Sequence, residues 1–135
     1  MKLELPPQAD SPARARHYVE RVLTGRCPPA LVEAAALLAS ELVTNAVRHA
    51  RTALTLTVET SSAGIRLEVH DGSERMPQLR EPTSGVSGRG LLLVDRIAKS
   101  WGAEARPDGK TVWLELTARA TEAAFAGARG GSSTR

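Results

Sequence analysis

One change of hydrophobic period constrains this 135-residue chain more than any other feature. From Leu31 the apolar stripe Leu31, Ala35, Leu38, Leu42 and Ala46 recurs every three or four positions, whereas from Leu54 the apolar residues recur every two. The first spacing lines one face of a helix and the second one face of a strand. Leu54, Leu56 and Val58 alternate with Thr55 and Thr57. Beyond a turn at Ser61 to Gly64, Ile65, Leu67 and Val69 alternate with Arg66, Glu68 and His70. Each pattern leaves one apolar face that must be buried, and they bury each other most simply as helices laid on a sheet.

The rest of the chain extends that scheme. Lys2 to Leu5 alternates as a short edge strand stopped by Pro6-Pro7, and Ser11-Pro12 reads as a cap and first residue of a helix carrying Ala15, Tyr18, Val19 and Val22. Pro28-Pro29 opens the long helix, which runs to about Ala50. Leu91 to Ala98 resumes helical spacing, and Trp101 to Arg106 with Thr111 to Thr117 reads as a hairpin turning through Pro107-Asp108-Gly109. The expected class is α+β, a two-layer sandwich with helices on one face of a mixed, mainly antiparallel sheet. One domain fills residues 1–118, and the Ala-, Gly- and Ser-rich stretch 119–135 is expected to be a flexible or disordered tail.

Composition excludes several classes. With 41% hydrophobic and 24% charged residues the chain matches a globular protein. Its longest apolar run, Ala34 to Ala39, is far short of the ~20 residues of a membrane helix. No secretory signal is visible at Met1 to Leu5, and a single cysteine, Cys27, fits a reducing cytoplasm. The pI is near 9.6, yet 18 basic residues stand against 15 acidic ones, interleaved, and aromatics make up 3%. That disfavours a nucleic-acid surface.

Three motifs carry chemistry. On the long helix, Glu41 and Asn45 stand four apart with Arg48 and His49 continuing the stripe. An amide oxygen is a hard ligand for Mg²⁺ and a carboxylate is a proton acceptor; on the helix alone, the wet side of an amphipathic helix explains the same residues. Next, Val69-His70-Asp71-Gly72-Ser73 ends a strand on an aspartate able to accept a hydrogen bond from a base amine, although Asp-Gly is also a plain turn signal. Last, Ser87-Gly88-Arg89-Gly90-Leu91 opens a helix whose first amides favour an anion, with a flexible hinge as the competing reading.

In this order, Glu41-Leu-Val-Thr-Asn45-Ala-Val-Arg-His49, Asp71-Gly72-Ser73, Gly88-Arg89-Gly90-Leu91 and Gly109-Lys110-Thr111-Val112-Trp113 resemble the boxes of the histidine-kinase-like ATPases of Bergerat type, shared by gyrase, chaperone and mismatch-repair ATPases. Within that group the sequence is most similar to the anti-sigma factors that are serine/threonine-protein kinases, over about residues 10 to 117. The resemblance implies ATP and Mg²⁺ as cofactors, Asn45 as metal ligand, Glu41 as general base and Asp71 on the adenine amine with Thr111 in support. Ser73 lies in the aspartate box, and Gly88, Arg89, Gly90 and Leu91 cradle the phosphates under a short lid from about Pro82 to Gly90, with Arg48 or His49 touching phosphate. It also implies a sigma factor and its antagonist protein as partners, and a homodimer paired through sheet or helix surfaces; the exposed strand edge at Leu3 to Leu5 is a candidate seam. Where the family reads Asp-x-Gly-x-Gly, this chain reads Asp71-Gly72-Ser73-Glu74-Arg75, which implies either a tighter base pocket or a lower affinity. The alternatives to a kinase are a non-catalytic, ATP-gated protein-binding module and an interaction domain without nucleotide.

Overall fold

The structure, a computed structural model, describes residues 1–76 and 87–130, with side chains for all of these except 87–90 and 125–130. In chain order it contains β1 (Lys2–Leu5), α1 (Ser11–Leu23), α2 (Pro29–His49), β2 (Leu54–Ser61), β3 (Gly64–Asp71), α3 (Ser87–Ile97), β4 (Ser100–Arg106), β5 (Gly109–Leu116) and α4 (Ala118–Gly130). The five strands form one sheet in the order β1-β2-β3-β5-β4, and every neighbouring pair is antiparallel. The last strand in sequence therefore lies inside the sheet and joins the two hairpins into one surface.

The period-two pattern sorts the sheet's two faces. Leu54, Leu56, Val58, Ile65, Leu67, Val69, Val112, Leu114 and Leu116 point inward and are buried. They meet the helices through the stripe read from α2, whose Leu31, Ala35, Leu38, Leu42 and Ala46 are all buried as well. By length and apolarity α2 passes as a membrane-spanning helix, but 56% of that stretch is buried inside the molecule. Its apolar character is that of a core helix. The opposite face is polar, as an antiparallel sheet permits: the Arg66 guanidinium lies 4.6 Å from the Trp113 ring centroid and pairs with Glu68 at 2.8 Å and Glu115 at 3.0 Å.

Two expectations are corrected. Ser11 is not the cap of α1 but its first residue; Asp10 holds the cap position, and the Ser11 hydroxyl donates instead to the Pro6 carbonyl at 2.5 Å. The stretch from 118 is not a frayed tail as far as Gly130. It forms α4, whose Ala120 amide donates to Thr117 Oγ1 at 3.1 Å and whose Thr121 is buried. The small residues that made this segment look structureless let it sit close against α2 and α3. Residues 131–135 lie outside the described residues.

Candidate functional site

The C-terminal half of α2 contributes the first part of the site. Glu41 and Asn45 are both half-buried, one helical turn apart, while Arg48 and His49 at the helix end are exposed. Burial raises the Glu41 pKa above its ordinary 4.5, because removing water disfavours the charged form. The polarity of this stripe is therefore not that of a fully wet face.

The helix stops where the chain must turn back to the sheet. The Ala50 amide still bonds to the Ala46 carbonyl at 2.7 Å, and Arg51 then adopts a left-handed conformation with φ 58°. Five residues after His49 the chain enters β2 at Leu54, which pairs directly with Asp71 of β3. Thr52 Oγ1 accepts the Gly72 amide at 2.8 Å and ties the end of α2 to the loop that follows Asp71. The connection thus brings the Asn45 end of α2 to the Asp71 end of the sheet.

Asp71 occupies an inward-facing position and is 1% exposed. Its partner across the β3–β5 register is Lys110, which is 4% exposed and donates to Asp71 Oδ1 at 3.0 Å and Oδ2 at 2.9 Å. Asp71 Oδ1 also accepts the Ser73 amide at 2.8 Å, and Ser73 Oγ accepts the Arg75 amide at 3.0 Å. Asp71 and Ser73 therefore shape the first turn of the loop. Gly109 brings the β5 backbone against this turn: its φ is 144°, and a Cβ there would lie 1.9 Å from the Asp71 carbonyl oxygen.

Thr111 stands elsewhere. It pairs with His70, not Asp71, so alternation places its hydroxyl on the other face of the sheet, 3.2 Å from His70 Nδ1 and 3.4 Å from Arg106 Nε. The expected support of Asp71 by Thr111 is corrected by this register. Lys110 is the residue that faces Asp71, and the sequence reading did not single it out.

The glycine motif opens α3, which packs on α2. Gly88, Arg89 and Gly90 lie in its first turn; the Arg89 side chain and the expected lid before residue 87 fall outside the described residues. The Leu91 side chain is buried, which leaves only its backbone for a ligand. The C-terminal end of α3 leads through Ala98 and Lys99 to Ser100, opposite Glu115 and remote from Asp71 along the sheet. A groove of about 220 Å³ lies at that remote end as well, lined by Glu59, Gly64, Arg66, Lys99, Glu115 and Thr117 among others.

Comparison with known proteins places this arrangement. A solved histidine kinase domain from the blue-light activated histidine kinase of Erythrobacter litoralis EL346 superposes with a TM-score of 0.55 at 19% identity, over 90% of this chain and 65% of that one. The likeness is one of fold, and the chain spans just under two thirds of that domain's length. An uncharacterized protein of Streptomyces coelicolor is 35% identical over 56% of this chain and 78% of its own length. The family profile of the histidine kinase-like ATPase domain matches residues 5–116, from the end of β1 to the end of β5, and the chain belongs to that family.

Proposed function

We propose that this chain is a Mg²⁺-ATP-binding regulatory domain that acts as an anti-sigma factor with serine/threonine kinase activity toward an antagonist protein. The observation that supports this most is the Glu41–Asn45 pair. A half-buried carboxylate with a raised pKa stands one turn from a carboxamide, near the end of the helix whose following turn bonds through Thr52 to Gly72, the residue after Asp71.

The donor set suits the ligand. The Asn45 amide oxygen would hold Mg²⁺, a hard cation that takes oxygen ligands, and Asp71 is the buried acceptor for a base amine. Bound Mg²⁺-ATP supplies a transferable γ-phosphoryl group whose charge the metal partly neutralises. Glu41 accepts the proton of the incoming serine hydroxyl, a role its raised pKa favours, since a stronger base takes that proton more readily. α2 holds the two residues at fixed spacing, which phosphoryl transfer needs more than covalent chemistry.

The test is label transfer from Mg²⁺-ATP to candidate antagonist proteins, with a thermal-shift titration alongside. A nucleotide at a hundred times its Kd adds about 2.7 kcal/mol. Asn45→Ala is expected to abolish that shift, and an undiminished shift in this variant would refute the metal assignment. A second reading, an ATP-gated binding module that transfers no phosphate, is favoured by one observation: Lys110 already occupies the acceptors of Asp71. Labelled antagonist excludes that reading; a nucleotide-dependent complex without label supports it.

A further inference from the structure

Lys110 is a charged residue that the reaction above does not use, yet it is almost wholly buried against the carboxylate assigned to the base. Its inward-facing neighbours along β3 and β5, Val69 and Val112, are apolar. The ion pair sits at the end of the sheet, where β3 gives way to the loop that begins at Gly72. A carboxylate offers about four lone-pair sites. Three are taken, two by the Lys110 ammonium and one by the Ser73 amide. The Ser73 bond belongs to the turn and leaves the rest of the carboxylate open. The ammonium is carried on a flexible four-carbon stem, which can swing away without moving the backbone.

A buried ion pair is a weak source of stability, because desolvating both charges offsets most of their attraction. Between two apolar positions, a pair of hydrophobic residues would hold the strands together as well. The location of this pair on the ligand carboxylate therefore calls for another explanation.

We infer that Lys110 is an internal gate on the base end of the nucleotide site: its ammonium bridges both oxygens of Asp71, leaves one lone-pair site beside it, and competes with a base amine for that carboxylate. The inference rests on the assignment of Asp71 to the base. It makes the apparent Kd the intrinsic value divided by the fraction of molecules in which Asp71 is released, so release in one molecule of ten weakens binding about tenfold.

Lys2, Lys99 and Lys110 are the three lysines of the chain, so amine acylation read by peptide mass spectrometry separates them cleanly. With a saturating non-hydrolysable Mg²⁺-ATP analogue, Lys110 acylation in the wild-type protein should rise several-fold while Lys2 and Lys99 stay unchanged. Titration calorimetry with the same analogue should give Lys110→Thr a Kd lower by about tenfold or more. Lys110→Gln, which keeps a neutral donor and strains the fold less, should be intermediate. Binding to the wild-type protein with Lys110 still shielded, and no gain in either variant, would overturn the gate and leave the nucleotide reading standing. A preference for a guanosine analogue with Lys110 still shielded would overturn it too, since the pair would then read donors and an acceptor on one base edge. No binding by the wild-type protein or either variant defeats the nucleotide reading and the gate with it. Binding by a variant alone establishes the gate in its closed form.

Discussion

At the scale of single residues, Glu41 makes two predictions. Its pKa is raised in the folded chain, so the fold binds a proton more readily than the unfolded chain does. Stability therefore falls as pH rises from the ordinary value through the raised one, and the cost of the charge is fully present above it. Glu41→Gln removes that cost: its Tm should exceed that of the wild-type protein at pH 7, and the gap should close as pH drops below the ordinary glutamate range. In the same variant, phosphoryl transfer should fall by on the order of 10²–10⁴ while nucleotide binding persists. Thr121 makes a third. Its buried hydroxyl is without a hydrogen-bond partner among the described residues, so the near-isosteric Thr121→Val should stabilise the chain by about 1 kcal/mol in denaturant unfolding. Of the candidate site, the placement of Glu41 and Asn45 on one helix and of Asp71 at a strand end was legible, because spacing along a helix and the end of a strand are local signals. Thr111 and Lys110 were not, because which of two adjacent residues faces Asp71 depends on a register set 39 positions away. A slip of one position exchanges the faces.

At the scale of elements, the boundary of α2 is where sequence and backbone disagree. Arg51 adopts the left-handed conformation that glycine takes without penalty, directly after the helix cap. Arg51→Gly should raise stability by about 1 kcal/mol or slightly more, read as a shift in unfolding midpoint with unchanged m-value. Gly109→Ala should act in the opposite sense and weaken nucleotide binding as well, since its Cβ would collide with the carbonyl of Asp71 itself. The helices and hairpins were legible from period alone, since large apolar residues mark both spacings. α4 was not, because a helix whose described side chains bury one threonine and partly bury Ala120 and Ala124 carries little hydrophobic signal. The clue that the sequence did hold was Thr117, a capping residue three positions before Ala120.

At the scale of the whole molecule, the sheet order determines when the site comes into being. β3 finds one neighbour at once in β2, its hairpin partner, but its other edge waits for β5. Closing that connection costs on the order of 3 kcal/mol in chain entropy, and the Asp71–Lys110 pair lies across it. During synthesis the interval between the two residues is on the order of seconds, and for that time a growing polypeptide displays an unsatisfied strand edge beside a charge with no counter-ion. A nascent chain stalled before Gly109 should accordingly be captured by chaperones or degraded, whereas one stalled after β5 has left the ribosome should resist protease. The carboxylate assigned to the base is in this way also the last checkpoint of maturation: the strand that completes the sheet is the one that neutralises it.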